Sequence, residues 1–447
     1  MIFRKTVVDA ARTLADALTR RDMDAFGQSL GIVAQAAGRA KPRDCQAAVE
    51  LLLPVLAAAP LGPGAPVAGI VGSLAGDAPD PLVALPVLVE RASTVLEDAA
   101  EFLAVYARLG VEPDRGDPDA DLRRLSAELT EREAYRLTAS FHTADDWTQP
   151  VLYLCQRKDV RLALPQRERL TRAVAATAEH LEVSHWLAGL LRVLDDEPLL
   201  VLDRATGKGF RLRMSGVGDN FQLHTLLAAR LAGDLAVRPL SAAELAAATD
   251  GEPQPAGGLT GRFNLTGADG KWIWNEGRPD DIPLLGGVRV VVLDPPPYHR
   301  SWNAGRAYPL MLPEFVVEER LPAAEAAGLL SRVAPAATDP AGEPAVATDD
   351  LTLLLQDHEY AEVVDAVIAG LLAGRSTQEV AGDLVTRFAL SMQDAELAVD
   401  RTRGGLVRAG SGNPANRPPR EEDPVGWESY QRGIDDPQII ARCADQD

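Results

Sequence analysis

The sequence predicts a helix-rich, multidomain α+β protein. Two observations support this fold class. Apolar residues recur at the helical period over residues 1–140 and again near the C-terminus, whereas the central part alternates between the helical period and the two-residue period of strands. We therefore expect an N-terminal α-helical bundle or repeat-like domain, a central mixed α+β domain, and a small C-terminal three-helix bundle that continues into an extended tail.

The predicted domain boundaries follow changes in composition along the 447 residues. We expect a helical domain at 1–140, an α+β domain at 141–335, a Pro/Ala linker at 336–349, a three-helix bundle at 350–409 and an extended polar tail at 410–447. Apolar residues make up 46% of the chain, which is enough for a sizeable core without disulfide or metal support.

The charge balance excludes two classes of partner. Lys and Arg number 45 against 65 Asp and Glu, a net charge of -20, so the acidic surface should repel bulk nucleic acid and anionic membranes. No window holds about 18 uninterrupted apolar residues, which also argues against a membrane span. Three widely spaced cysteines give neither a disulfide framework nor a zinc-binding spacing. We expect a soluble, acidic, cytoplasmic protein without a cofactor.

Local signals position the N-terminal helices. Gly38 should end the second helix as a C-terminal cap, and Asp44 is the predicted N-cap of the third. The stretch 60–66, rich in proline and glycine, predicts a turn. Asp80 followed by Pro81 predicts another helix start, because proline at the first helical position removes no intrahelical hydrogen bond.

The central part contains the most regular amphipathic helix and a hairpin. Six apolar residues predict the core-facing side of this helix: Val183, Trp186, Leu187, Leu190, Leu191 and Leu194. The apolar run 199–203, the turn 206–209 and the alternating residues 210–214 then predict a β-hairpin with one buried face and one wet, basic face. The apolar run 288–293 predicts a buried strand.

A glycine-rich turn at 215–221 joins a predicted strand to a predicted helix. Such turns can bind phosphate through free N–H groups at a helix N-terminus. Two residues weaken this interpretation: Phe221 replaces the third glycine of the dinucleotide fingerprint, and Asp219 is placed to cap the helix with its own carboxylate. We expect a capped helix after a tight turn.

The most unusual stretch is the aromatic-rich segment 270–312. Aromatic residues are 5% of the chain, yet five of them fall between positions 272 and 308. A strand at 272–274 would direct both of its tryptophans to one side. The segment is either a binding surface or a loop-rich region that packs its own aromatic side chains. The candidate binding residues are Trp272, Trp274, Tyr298, Arg300, Trp302, Asn303 and Arg306.

No catalytic or metal-binding motif stands out. His224, Glu276 and His299 are weak acid or base candidates, and Arg300 and Arg306 would bind an anionic group if the chain is an enzyme. The group His142, Asp145 and Asp146 has no second histidine at helical spacing, so no metal site is predicted.

The leading functional hypothesis is a non-enzymatic interaction or adaptor protein that binds a protein partner through the segment 270–312. The first alternative is an enzyme, or a binding protein, for a small polar or anionic ligand in the central domain. The second alternative is a structural subunit of a homo-oligomer. These hypotheses rest on the modular organisation, the aromatic segment and the missing catalytic motifs.

Overall fold

The computed structural model of the chain describes residues 6–235, 237–252, 259–296, 300–337, 359–388, 390, 392–410, 417–418 and 424–444. Within these residues the protein forms 18 α-helices and a mixed β-sheet, which confirms the helix-rich part of the predicted fold class. Contacts divide the chain into two compact units. The first comprises Met1–Leu259, Ile273–Leu293 and Asn303–Arg332, and the second comprises Thr260–Trp272, Asp294–Trp302 and Val333–Asp447.

The first unit contains thirteen of the described helices. They are α1 (Val7–Arg20), α2 (Met23–Ala37), α3 (Pro42–Ala58), α4 (Leu61–Asp77), α5 (Leu85–Leu109), α6 (Pro118–Leu125), α7 (Glu131–Leu154), α8 (Lys158–Leu162), α9 (Arg167–Ala175), α10 (Glu182–Leu191), α11 (Asn220–Leu231), α12 (Ala242–Thr249) and α13 (Ala323–Leu330). The predicted domain boundary at residue 140 falls inside α7. The buried residues of α1 to α10 form one apolar core, so no domain boundary separates these helices. The helical part therefore continues past 140 to Leu191.

Two of the predicted caps are confirmed and one is wrong. Gly38 is the C-cap residue of α2, and the Asp80 carboxylate accepts a hydrogen bond from the Leu82 N–H at 3.0 Å. Asp44, however, lies in the first turn of α3. The N-cap of that helix is Lys41, whose side chain makes no capping hydrogen bond. Proline at the first position allows the helix to start three residues earlier than the Asp44 signal indicates.

The turn predicted at 60–66 is wrong, since α4 begins within this stretch. Two of the prolines precede or occupy the first helical turn, where they remove few intrahelical hydrogen bonds. Two glycines bring the helix close to α7. A Cβ atom at Gly64 would lie 2.6 Å from the Trp147 ring, and one at Gly72 would lie 2.6 Å from Cβ of Pro150. These glycines therefore act as contact surface and not as turn residues.

The described strands are β1 (Glu197–Asp203), β2 (Lys208–Ser215), β3 (Leu259–Thr260), β4 (Asn264–Thr266), β5 (Leu284–Leu285), β6 (Val288–Asp294), β7 (Ser301–Trp302) and β8 (Glu314–Arg320). In the first unit the strand order is β6-β1-β2-β8, with β5 paired to the start of β6. The β1–β6 pair is parallel, and the other pairs of this unit are antiparallel. The predicted hairpin and the predicted buried strand are thus confirmed as β1–β2 and β6.

The exposed face of the hairpin differs from the prediction in its charge. Arg211 pairs with Glu319 at 3.0 Å and with Glu325 at 2.5 Å, and Arg213 pairs with Glu318 at 2.6 Å. The glutamates come from β8 and α13, so the sequence of the hairpin alone did not reveal them. The face is wet but its arginines are neutralised by these carboxylates.

The strand predicted at 272–274 does not form. Trp272 makes an isolated antiparallel bridge to Thr266, Ile273 is buried and Trp274 is exposed. Trp272 belongs to the second unit and Trp274 to the first, so the two indoles do not share the face of one strand. The chain turns directly after Trp274, where the Gly277 N–H donates to the Trp274 carbonyl at 3.1 Å. This turn stops the strand pattern.

The second unit contains five of the described helices: α14 (Glu359–Leu372), α15 (Thr377–Phe388), α16 (Met392–Gly410), α17 (Pro424–Asp435) and α18 (Pro437–Ala444). The first three match the helices predicted within 350–409. Ser376 and Glu379 form a reciprocal pair of capping hydrogen bonds before α15. The linker predicted at 336–349 lies outside the described residues from position 338 onward.

The prediction of an extended tail at 410–447 is wrong for residues 424–444, which form α17 and α18. Val425 is fully buried and Ser429 is also buried, where its hydroxyl donates to the Thr402 carbonyl at 2.5 Å. The tail contains few apolar residues, so its helical pattern is weak in the sequence. Contact with α16 stabilises the helix instead. A Cβ at Gly405 of α16 would lie 2.8 Å from the Cβ of Ser429. The missing side chain lets α16 and α17 pack closely.

Candidate functional site

The aromatic-rich segment alternates between the two units. Trp272, Arg300 and Trp302 belong to the second unit, whereas Trp274, Asn303, Arg306 and Tyr308 belong to the first. The candidates Tyr298 and His299 lie outside the described residues. The segment therefore does not form one continuous element, because its residues are divided between two separate units.

In the second unit, the candidates Trp272, Arg300 and Trp302 contact other residues of the same unit. The Trp272 indole N–H donates to the Ala337 carbonyl at 3.0 Å. The Arg300 guanidinium donates to Asn264 Oδ1 at 3.2 Å. The ring of Trp302 lies against Gly261, where a Cβ would be 3.3 Å from the indole. These contacts are typical of loops that pack their own aromatic side chains.

In the first unit, Trp274 is 45% exposed although its backbone is held firmly. The buried Asn220 side chain donates through Nδ2 to the Trp274 carbonyl at 2.8 Å. The same loop is also fixed by backbone bonds: the Asn220 N–H donates to the Gly277 carbonyl at 3.0 Å, and the Phe221 N–H donates to the Asn275 carbonyl at 3.1 Å. The start of α11 therefore holds the loop that presents Trp274.

A second exposed tryptophan belongs to the same arrangement and was not among the predicted binding residues. Trp186 of α10 is 42% exposed, whereas the sequence pattern placed it on the buried side of this helix. The Tyr308 hydroxyl donates to the Trp186 carbonyl at 2.9 Å, and the two rings are perpendicular with centroids 6.2 Å apart. Leu187 and Leu190 fill the core instead, so Trp186 lies at the border of the apolar face.

Arg278 links Tyr308, which bonds to Trp186, with the turn that precedes Asn220, which bonds to Trp274. Its Nη1 donates to the Gly218 carbonyl at 3.3 Å and to the Tyr308 hydroxyl at 3.4 Å. The guanidinium lies on the backbone of α10 at Gly189, where an added Cβ would be 2.5 Å from Cζ of the arginine. Only glycine leaves room for the guanidinium at this point. We call Trp186, Trp274 and the three groups that hold them, Asn220, Arg278 and Tyr308, the tryptophan platform.

Asp219 lies beside the platform and caps α11. Its carboxylate accepts a hydrogen bond from the Gln222 N–H at 2.7 Å. Burial raises the pKa of this carboxyl, although the Gln222 hydrogen bond and the positive charge of Arg278 oppose that effect. The same burial raises the pKa of the Tyr308 hydroxyl, which therefore stays a neutral donor to Trp186. The cap confirms the role predicted for Asp219.

Several N–H groups of the glycine-rich turn donate to other groups of the protein. The Gly216 N–H donates to the Leu194 carbonyl at 3.1 Å, and the Gly218 N–H donates to Gln222 Oε1 at 2.8 Å. The first N–H groups of α11 are likewise used by Gly277, Asn275 and the Asp219 side chain. The structure thus uses this turn to position the platform, and a phosphate cradle would require breaking these bonds.

The structure describes two of the three weak catalytic candidates. His224 is fully buried inside α11, Glu276 is exposed on the Trp274 loop, and His299 lies outside the described residues. Arg306, an expected anion-binding residue, donates instead to the carbonyls of Ala247, Gly251 and Pro309 at 2.9 to 3.2 Å. Asn303 is exposed. The Arg306 guanidinium is therefore already bonded to backbone carbonyls.

Three further observations concern metal binding, one buried histidine pair and membrane spans in the residues that the structure describes. No group of three or more His, Cys, Asp or Glu side chains could hold a metal ion there. His142 lies 2.9 Å from a carboxylate oxygen of the buried Asp121, a pairing that the sequence did not indicate. Among the described helices, none combines the length and the apolar character needed to cross a membrane.

Comparison with known protein families, curated proteins and solved structures finds no match to this chain. The tryptophan platform must therefore be interpreted from its own chemistry. It offers two half-exposed indoles, and the backbone carbonyl of each tryptophan accepts a hydrogen bond from a side chain of the protein. The Asn220 Oδ1 of the platform is buried without a hydrogen-bond partner. The exposed parts of the two indoles can bury apolar area against a bound molecule.

Proposed function

We propose that this chain is an interaction or adaptor protein that binds a protein partner through the tryptophan platform. The observation that supports this proposal most directly is the shared support of the two exposed indoles. The carbonyls of Trp186 and Trp274 both accept hydrogen bonds from side chains that are linked through Arg278 and the turn at Gly218. The indoles thus protrude from a backbone that is already ordered.

Physical chemistry favours such residues as binding hot spots. An aromatic side chain can bury about 150–250 Å² and each Å² of apolar surface contributes about 25 cal/mol, so covering the exposed half of one indole contributes roughly 2 kcal/mol. Because the backbone of both tryptophans is fixed beforehand, little conformational entropy is lost when a partner covers them. Tryptophan is accordingly among the residues most enriched at interface hot spots.

The proposal modifies the sequence-based hypothesis in one respect. It keeps Trp274 from the segment 270–312 and adds Trp186, which lies far away in sequence. Trp272 and Trp302 are not part of the proposed surface, because their rings contact groups of the second unit. The enzyme alternative receives no support from the described residues, given the burial of His224 and the carbonyl bonds of Arg306.

The test compares three tagged proteins in affinity capture from the native host. These are the wild type, the double variant Trp186→Ala/Trp274→Ala and the control Tyr135→Ala, which removes an aromatic ring that is 60% exposed elsewhere on the first unit. Any captured protein is then purified and its Kd for each variant is measured by calorimetry. We expect the double variant to weaken binding by roughly tenfold or more, and the control to bind like the wild type.

Two results would reject the proposal. One is a double variant that keeps its fold, as judged by circular dichroism, and binds every wild-type partner with unchanged Kd. The other is equal weakening by Tyr135→Ala, which would show that binding depends on general surface area and not on the platform. Capture of a second copy of the chain with the same tryptophan dependence would favour the homo-oligomer alternative instead.

A further inference from the structure

We infer that the partner segment bound by the tryptophan platform is positively charged and combines lysine or arginine with apolar side chains. This inference rests on the proposed function and concerns the chemistry of the partner. Its basis is the distribution of charge around the two indoles. Each exposed tryptophan has an exposed glutamate nearby in the chain, and the arginines of this region are already engaged by groups of the protein.

The first glutamate is Glu182, in the first turn of α10. It lies four residues before Trp186, so the two side chains project from the same side of the helix. Glu182 is exposed and makes no ion pair with any residue that the structure describes. A cation placed over the Trp186 ring would therefore also face a free carboxylate. Tryptophan is the aromatic residue that attracts cations most strongly.

The second glutamate is Glu276, two residues after Trp274 in the loop held by α11. It too is exposed and has no ion-pair partner among the described residues. The next acidic residues along this loop are Asp280 and Asp281, which share the single cation Arg192. The loop that presents Trp274 therefore keeps an excess of negative charge, even after its ion pairs are counted.

The cations near the indoles are not available to neutralise a partner's acidic groups. Arg278 is half-buried, donates to the Gly218 carbonyl and the Tyr308 hydroxyl, and faces Asp219. The outward charge of the platform is thus negative, in line with the net charge of -20 for the whole chain. A partner with lysine or arginine beside apolar residues matches both features, whereas an acidic partner would be repelled.

The experiment uses the full chain and two synthetic peptides of equal length and equal leucine content. One peptide has lysine and arginine at its polar positions, and the other has glutamate at the same positions. Calorimetry measures the Kd of each at low and at physiological salt. We expect the basic peptide to bind, the acidic peptide not to bind, and Trp186→Ala/Trp274→Ala to weaken the basic peptide by roughly tenfold.

Matched charge variants distinguish the effect of the two platform glutamates on binding from the effect of the chain's total negative charge. Glu182→Gln/Glu276→Gln should weaken the basic peptide by roughly fivefold. The control Glu128→Gln/Glu131→Gln removes two exposed carboxylates elsewhere. Glu131 occupies the first turn of α7 as Glu182 does that of α10, so the two double variants share this helix-terminal effect. The control should change the Kd less than twofold, since its charges are distant from the indoles.

Three outcomes would overturn the inference: binding of neither peptide, binding of both with similar Kd, or equal weakening by the two glutamine variants. The last would mean that the basic peptide responds only to the total charge. The proposed function is judged separately with the captured partner. If that partner depends on the tryptophans but not on Glu182, Glu276 or salt, the interaction function stands and the basic character of the partner is rejected.

Discussion

The close packing of α4 on α7 makes a sharp prediction about Gly72. A Cβ at this position would lie 2.6 Å from Cβ and 3.0 Å from Cα of Pro150. The second of these atoms is backbone, so the clash cannot be relieved by rotating a side chain. Gly72→Ala should therefore push α4 away from α7 or strain both helices. Gly69, three residues earlier in the same helix, has no atom within 4 Å of its would-be Cβ and provides the control.

The expected magnitudes follow from two opposing effects. Replacing glycine by alanine inside a helix stabilises it by about 1 kcal/mol, because the unfolded chain loses freedom and the helix propensity rises. Overpacking a tight core costs about 1–3 kcal/mol. Gly69→Ala should show only the first effect and stabilise the protein. Gly72→Ala shows both, so it should be less stable than Gly69→Ala by about 1–3 kcal/mol.

Hydrogen exchange followed by mass spectrometry measures this difference locally. Peptides from α4 and α7 report the free energy of opening in the first unit, and peptides from α14 to α16 serve as an internal reference. We expect Gly72→Ala to exchange faster than Gly69→Ala in α4 and α7 only. Equal protection in the two variants would refute the steric argument, because the propensity gain is the same at both positions.

Three further predictions concern buried polar groups and the platform. Arg161→Met leaves the buried carboxylate of Asp195 without its bidentate partner at 2.6 and 2.8 Å, so urea unfolding should show a loss of about 3–5 kcal/mol. A loss below about 1 kcal/mol would contradict this role. Burial raises the pKa of Tyr106, so the native state keeps its proton and stability should fall as pH rises above about 10, the unfolded value. Tyr106→Phe should flatten this alkaline decline, and an unchanged profile would refute the assignment. Gly189→Ala should displace the guanidinium of Arg278 without unfolding α10, and weaken partner binding measured by calorimetry. Unchanged affinity would show that Arg278 does not support the exposed indoles.

The parts of the fold that depend on local chemistry were predictable from the sequence. The helices α1 and α2 follow from apolar periodicity, and the β1–β2 hairpin follows from alternation around a Thr-Gly turn. The reciprocal caps formed by Ser241 with Glu244 also need only residues three positions apart. Each of these signals is contained in a short stretch of chain, so no distant contact is required to interpret it.

The tryptophan platform could be predicted only in part. Aromatic enrichment identified Trp274, but not its partner. The helical period placed Trp186 with the core leucines because a residue at the edge of an apolar face satisfies the pattern in either orientation. Arg278 gave no signal of its own, since a lone arginine in a polar loop is ordinary. Its role depends on the absent side chain of Gly189, about 90 positions away in sequence.

The sequence by itself determined the helix-rich character, most of the helix caps, the central hairpin and the excess of negative charge, because these depend on neighbouring residues or on composition alone. The tertiary structure decided where helices replace expected turns and tails, since glycine-rich segments become helical when a partner helix packs against them. It also decided which tryptophans face solvent. That choice depends on how distant segments compete for the same core space, and such competition leaves no periodic trace in the chain.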